Sequence, residues 1–122
     1  MKIEPSEAFN LLSPRVVVLI STINSRHGTN AIPNDLIVPV SNSPPILMVS
    51  LKAGCQTYRN IKHNGDFVVN IMSRKYFSQI VKCATRYQEG VDKIKQIGLH
   101  HFSSRLVKAP RIKEANVWLE CK

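Results

Sequence analysis

The chain has 122 residues, 43% of them hydrophobic, so we expect one domain, residues 1–122, with its own core. No stretch approaches the roughly 18 apolar residues of a membrane span, and the amino-terminal segment lacks a signal-peptide pattern. A cytoplasmic protein without membrane association is predicted. The net charge is +9, and residues 73–122 contribute 11 basic and 4 acidic side chains. This balance favours anionic partners, including nucleotides and nucleic acid.

The first third of the chain predicts strands joined by short turns. Residues 6–12 are typical of a short capped helix that ends at Pro14. The β-branched run over residues 15–22 predicts a buried strand. Residues 30–40 predict a second strand, and residues 46–51 a third.

The second predicted strand contains two prolines, Pro33 and Pro39. Because proline has no N–H to donate to a neighbouring strand, we expect this strand to lie at a sheet edge or to contain a bulge. A Ser-Asn-Ser-Pro-Pro corner separates it from the third strand.

Helices and strands alternate further along the chain. Residues 56–64 predict a helix that Gly65 ends, and residues 66–71 predict a strand. Ser73 is expected to cap a helix that continues to Cys83.

The carboxyl-terminal part predicts a short helix over residues 90–98, a basic loop over 105–113 and a strand over 115–121. The short turns between the early strands argue against a doubly wound parallel sheet and favour an antiparallel β-barrel or sandwich with inserted helices. The last strand would expose an apolar edge, which indicates a shortened domain or an edge covered by a second copy.

Residues 28–61 combine two strands, a polar loop and a helix that starts near Thr57. A loop that leads into a helix presents unpaired N–H groups and the positive end of the helix dipole, which suit a phosphate. The two strands, interrupted by Asn and Pro, are placed to hold a flat ring through their backbone. A nucleotide-like cofactor is therefore predicted. No catalytic triad, paired carboxylates or zinc pattern is evident, and the three cysteines, which lie far apart in sequence, predict small buried thiols.

Several segments, taken in order, make the chain similar to the flavin reductase-like family, whose fold is the FMN-binding split barrel. They are RVVVLIST at 15–22, GTNA at 28–31, PVS at 39–41 with PP at 44–45, TYRNIK at 57–62, GDFVVN at 65–70, GVDK at 90–93, KAPRI at 108–112 and LEC at 119–121.

The resemblance implies FMN as cofactor, NAD(P)H as hydride donor and a homodimer that passes electrons to an acceptor. It covers nearly the whole chain but only about the first two thirds of a typical family domain. A mostly antiparallel barrel that is incomplete at its carboxyl-terminal end is therefore expected. Since the flavin carries the chemistry, no catalytic side chain is assigned.

The phosphate end of the expected site is Thr57, whose hydroxyl lies at the helix start; an N-cap without a ligand is the alternative. Lys52 either neutralises the phosphate or is a surface lysine. Cys55 and Gln56 are candidate loop contacts. Ser41 either fixes the Pro-Val-Ser corner or contacts the ligand.

The ring end of the expected site follows the second strand, with backbone groups beside the flavin. Its candidates are Asn30, Ala31, Ile32, Pro33 and Asn34. Asn34 and the next residue, Asp35, depart from the family pattern, in which relatives often carry a hydroxyl or aromatic residue here. If the carboxylate of Asp35 points inward, flavin binding weakens, because reduced flavin tends to be anionic; if it points outward, nothing changes.

Two other functions compete with a flavin-dependent oxidoreductase. A shortened family member could bind flavin weakly, or not at all, without turnover. Nucleic-acid binding through the basic second half ranks last, because only 7% of the residues are aromatic and they do not alternate with basic residues in a stacking pattern.

Overall fold

A computed structural model describes residues 4, 12, 14–26, 28–88 and 90–122. The helix predicted at residues 6–12 lies outside them, apart from Leu12. The elements in chain order are β1 Val18–Ile23, β2 Thr29–Asn34, β3 Ile37–Asn42, β4 Pro45–Val49, α1 Gln56–Asn64, β5 Phe67–Met72, α2 Phe77–Cys83, α3 Lys93–Gln96, β6 His101–Phe102, β7 Arg111–Ile112 and β8 Ala115–Cys121.

The main sheet is antiparallel and has the strand order β2-β1-β5-β8. Strands β3 and β4 form a separate hairpin, and β6 pairs with β7. Within the described part of the chain the main sheet does not close on itself. In the same residues, no helix is long and apolar enough to cross a membrane.

Alternate residues of β1 face opposite sides of the main sheet, as the pleat requires. Leu19 packs with Ala31 and Ile94 on the side that carries α2 and α3. Val18 and Ile20 pack with Val69 on the other side, where the β3–β4 hairpin covers them. The sheet therefore has a core on each face.

The single strand predicted over residues 30–40 is wrong, because the structure divides it into β2 and β3. The chain turns at Asp35, where Asn34 Oδ1 accepts a hydrogen bond from Leu36 N. The expectation of an edge strand or a bulge at the two prolines is confirmed. Strand β2, which contains Pro33, lies at the edge of the main sheet, and the β3–β4 register shifts between Pro39 and Ser41.

Two helix predictions also need correction. Ser73 precedes a 3₁₀ turn over Arg74–Tyr76, and its side chain makes no capping hydrogen bond. The helix predicted over residues 90–98 is confined to α3, because Asp92 caps it by accepting a hydrogen bond from Lys95 N. The predicted bounds of α1 and β8 are confirmed.

Buried polar groups attach β7 and the loop of residues 103–110 that precedes it to the main sheet. Asn70 Oδ1 accepts a hydrogen bond from Ile112 N, and Ser21 Oγ donates to Pro110 O. Asp66 accepts hydrogen bonds from the backbone N–H groups of Lys108 and Ala109. The loop is held by hydrogen bonds, in keeping with the rule that buried polar groups find partners.

Candidate functional site

A cleft of about 370 Å³ lies where the start of β2, the amino terminus of α1 and residues 84–93 meet. This volume is at the lower end of the range for small-molecule sites, roughly 300–1,000 Å³. We call it the basic cleft, and the described residues that line it are Asn24, Thr29, Asn30, Ile32, Lys52, Gly54, Cys55, Gln56, Thr57, Arg59, Ala84, Thr85, Arg86, Tyr87, Gln88, Val91 and Lys93.

The amino terminus of α1 opens into the basic cleft. Cys55 is the N-cap, with an extended backbone, and its Sγ accepts a hydrogen bond from Tyr58 N at 3.4 Å. The N–H groups of Gln56 and Thr57 belong to the first turn, so they have no acceptor within the helix. Together with the helix dipole, they favour an anion at this point.

Thr57 is fully buried and is tied to the edge strand. Its Oγ1 accepts a hydrogen bond from Asn30 Nδ2 at 2.9 Å. Because Cys55 occupies the N-cap, the alternative that Thr57 is merely an N-cap is wrong. A hydroxyl that accepts one hydrogen bond still has its own proton to donate, so Thr57 can offer that proton to an oxygen in the cleft.

A second hydrogen-bond chain fixes the same helix to β1. Gln56 Nε2 donates to Asn60 Oδ1 at 2.8 Å, and Asn60 Nδ2 donates to Thr22 Oγ1 at 2.9 Å. Asn60 and Thr22 are buried. The first turn of α1 therefore has a fixed position relative to the main sheet.

Lys93 is a buried cation in the wall of the basic cleft, with 4% of its surface exposed. Its Nζ donates a hydrogen bond to Cys83 O at 2.6 Å and lies 5.6 Å from the centre of the Tyr87 ring. Burial lowers the pKa of Lys93. No carboxylate among the described residues forms an ion pair with it, so an anion in the cleft would supply the missing counter-charge.

Three further basic side chains line the basic cleft, those of Lys52, Arg59 and Arg86, and none of the described lining residues is acidic. Arg59 donates hydrogen bonds to Gly54 O and to Gln56 Oε1, which orient its guanidinium at the helix start. A concave site with charges of one sign concentrates ligands of the opposite sign.

Asp92 fastens the 90–93 segment to β2. Its carboxylate accepts hydrogen bonds from Thr29 Oγ1 and Lys95 N, and it pairs with His101 Nε2 at 2.8 Å. Burial raises the pKa of Asp92, but the hydrogen bonds from Thr29 and His101 outweigh burial and lower it to about 2. The carboxylate thus stays ionised at the start of α3 and ties the residue before Lys93 to β2.

Gly28 allows this segment to approach the sheet closely. A Cβ at Gly28 would lie 2.9 Å from backbone atoms of Gly90, so any larger residue would push the segment away. The GTNA and GVDK segments therefore meet in space.

Six of the ten predicted site residues line the basic cleft: Asn30, Ile32, Lys52, Cys55, Gln56 and Thr57. Ala31 faces the core instead, and Pro33 and Asn34 lie further along β2, where Asn34 Nδ2 donates to Ser50 O. Ser41 lines a different cavity of about 920 Å³, between the β3–β4 hairpin and β8.

The sequence analysis missed Lys93, Arg59 and Arg86. The segment GVDK at residues 90–93 was the available signal for Lys93, but lysines are usually exposed. Its burial depends on the contact between α2 and α3, which local sequence does not show.

A family model described as a flavin reductase like domain matches residues 11–122. An uncharacterized protein of Aquifex aeolicus is 33% identical over 117 residues, which are 92% of this chain and 60% of the relative. The flavoredoxin of Desulfovibrio vulgaris (Miyazaki F) has a TM-score of 0.86 and 28% identity, with 98% of this chain and 65% of that chain covered. Component B of nitrilotriacetate monooxygenase from Bacillus cereus has a TM-score of 0.85 and 28% identity, with 99% and 66% covered.

These matches confirm the predicted fold class, a split barrel built mostly from antiparallel strands with a few helices. The chain spans about 60% of the length of the curated relatives it matches.

Proposed function

The chain belongs to the flavin reductase-like family, and from this premise we propose that it binds FMN with the phosphate in the basic cleft. The observation that carries the proposal is the buried ammonium of Lys93, which lines a cleft beside the first turn of α1 whose described residues include no acid. The residues present fit a phosphate dianion, since they offer helix N–H groups, the Thr57 hydroxyl and several cations.

The phosphate would be held from two sides. The first turn of α1 would supply N–H donors together with the hydroxyl of Thr57, while Lys93, which lines the same cleft, would supply a positive charge. Lys52 and Arg86 lie at the same cleft and screen the remaining negative charge. Hydrogen bonds to charged groups contribute about 1.5–3 kcal/mol each, so the phosphate would provide a large share of the affinity.

The ring is proposed to lie along β2, from Ile32 towards Pro33 and Asn34. Asp35 supports this placement, because its carboxylate forms an ion pair with Arg15 at 2.7 Å and its side chain is 40% exposed. The ion pair favours the outward alternative for Asp35, in which the ring has no negative charge beside it. Ser41 lies at the other cavity and is not part of the proposed phosphate site.

A bound flavin supplies hydride acceptance and donation. The residues of this chain would bind the phosphate and orient the ring along β2. We propose NAD(P)H as the donor and a homodimer as the working form. The structural similarity to the flavoredoxin and to component B of nitrilotriacetate monooxygenase supports an oxidoreductase role. The cytoplasmic location and the single-domain organisation stay predictions.

The test is a titration of the purified chain with FMN, followed by NADH and NADPH oxidation assays and a mass measurement in solution. We expect FMN binding, oxidation that depends on FMN, and a dimer mass. Thr57→Ala should weaken FMN binding about tenfold, the loss of roughly one charge-assisted hydrogen bond. Thr57→Ser, which keeps the hydroxyl, should restore most of the affinity. Failure to bind FMN would overturn the proposal.

Binding without NAD(P)H oxidation would favour the alternative of a flavin binder without turnover. The oxidation assay separates the two functions.

A further inference from the structure

The two edges of the main sheet are protected to different degrees. Strand β2, at one edge, contains Pro33 and contacts both α2 and α3. Strand β8, at the other edge, has the sequence ANVWLEC and pairs only with β5 among the described residues. It contains no proline and no lysine, the residues that commonly prevent a sheet edge from pairing with another chain. The edge of β8 is therefore open to an additional strand.

Glu120 is the one charged residue of β8, but its charge is already compensated. The carboxylate accepts hydrogen bonds from Arg105 N at 3.0 Å and from Leu106 N at 2.6 Å, and it pairs with Arg111 at 3.5 Å. Glu120 thus serves to hold the loop of residues 103–110 and does not guard the edge with an uncompensated negative charge.

The side chains of β8 alternate between two environments, as the pleat of a strand requires. Cys121 packs with the core that includes residues of the β3–β4 hairpin, and Leu119 lies on the same face with 39% of its surface exposed. Trp118 and Glu120 lie on the opposite face, where Trp118 Nε1 donates to Ile112 O at 2.7 Å. All four side chains of residues 118–121 line the cavity of about 920 Å³, so this cavity reaches both faces of β8 at its open edge.

The cavity has an apolar side and a basic side. Ile46 and Phe67 line it together with the apolar face of β8, whereas Arg105, Arg111 and Lys122 supply positive charge. The glutamate of β8 is the only acid among the described lining residues. A second copy of the chain would carry the same net charge of +9, so charge favours an acidic partner at this edge over self-association.

We propose that β8 binds an extended acidic segment of a partner protein as an added β-strand. In this segment, apolar residues that face the β3–β4 hairpin alternate with acidic residues that face the loop of residues 103–110. Main-chain hydrogen bonds give such strand addition its affinity, and the pockets for alternate side chains give it specificity. The cavity shares no described lining residue with the basic cleft, so the inference is independent of the proposed flavin site.

The test titrates the purified chain with a synthetic peptide of strand length in which glutamate and valine alternate. Trp118 is the only tryptophan of the chain and lines the cavity, so its fluorescence reports binding. Amide hydrogen exchange of β8 reports strand pairing. One control peptide carries lysine in place of glutamate. The other keeps the acidic sequence but has methylated backbone nitrogens, so it keeps the charge and cannot pair as a strand.

We expect the acidic peptide to bind at least about tenfold more tightly than either control and to slow amide exchange in β8. Arg105→Gln should weaken binding about two- to fivefold, the loss of one exposed ion pair. Leu119→Lys, which places a charge on the apolar face at the edge, should weaken it at least about tenfold. Lys113→Gln is the matched control without effect, since Lys113 is exposed and does not line the cavity.

Equal binding of the acidic peptide and either control, or no binding at all, overturns the inference. If the acidic peptide does not bind and Leu119→Lys reduces a dimer mass to that of a monomer, the edge belongs to a second copy of the chain. FMN affinity should stay unchanged in Arg105→Gln and Leu119→Lys, so failure of the inference leaves the proposed function standing.

Discussion

Lys93 places a positive charge where water is almost excluded. An ammonium in such a position is costly unless it is paired, and the hydrogen bond to Cys83 O together with the Tyr87 ring provides only partial compensation. Burial lowers the pKa of Lys93 because it disfavours the charged form of the amine. An anion bound in the basic cleft would remove this cost, so ligand binding and stability should be linked through this residue.

Thr57 and Lys93 differ in how far their roles at the site could be predicted from the sequence. Thr57 was identifiable because a helix start follows from local pattern, and its hydroxyl then has an evident role. Lys93 was not, because its burial comes from the contact between α2 and α3, which are separate in sequence. The GVDK motif that contains Lys93 indicated a resemblance to the family, but it assigned no chemical role to the lysine.

Asp92→Asn should lower the free energy of unfolding by about 1.5–3 kcal/mol at pH 7, because hydrogen bonds to a charged acceptor are lost. The pKa of Asp92 is lowered to about 2 from 3.8, so its contribution is present above about pH 4 and disappears as the pH falls towards 2. Urea unfolding at several pH values measures it.

The difference in stability between wild type and Asp92→Asn should therefore shrink on acidification. A difference that stays constant between pH 7 and pH 2.5 would refute the linkage. Asp35→Asn is the control, since its ion pair with Arg15 is partly exposed and should contribute less than about 1 kcal/mol.

At the scale of elements, α1 positions the site. Its first turn faces the basic cleft and its end is closed by Gly65, which has a φ of 75° and donates its N–H to Ile61 O. Both ends of the helix followed from sequence, because loop and glycine signals are local. The corner between β2 and β3 did not, because the Asn34 side chain ends the strand in the middle of a run that is otherwise typical of strands.

Gly65→Ala should cost about 1–2 kcal/mol of stability, since an L-residue is strained at this positive φ. A Cβ there would meet no neighbouring atom, so the cost is conformational and FMN affinity should stay unchanged. Gly65→Asn should cost less, because Asn tolerates this conformation. Thermal unfolding combined with an FMN titration measures both effects. Equal stability losses for Ala and Asn would point to a cause other than backbone strain.

At the scale of the whole molecule, the sheet separates two surfaces of different chemistry. The basic cleft lies where β2 meets the helices, while the larger cavity lies between the β3–β4 hairpin and β8 and includes Leu106 and Trp118. The motifs in their order predicted the split barrel and its antiparallel pairing. The motifs do not show which residues line which cavity, so Ser41 was predicted together with residues of the basic cleft.

The role of the basic cleft as a phosphate site is tested most directly by the ratio of two dissociation constants, those of riboflavin and FMN for the purified chain. The two ligands share the ring and differ in the phosphate alone. If Lys93, Thr57 and the first turn of α1 hold the phosphate, FMN should bind at least about tenfold more tightly. Equal affinities for riboflavin and FMN would contradict the phosphate site.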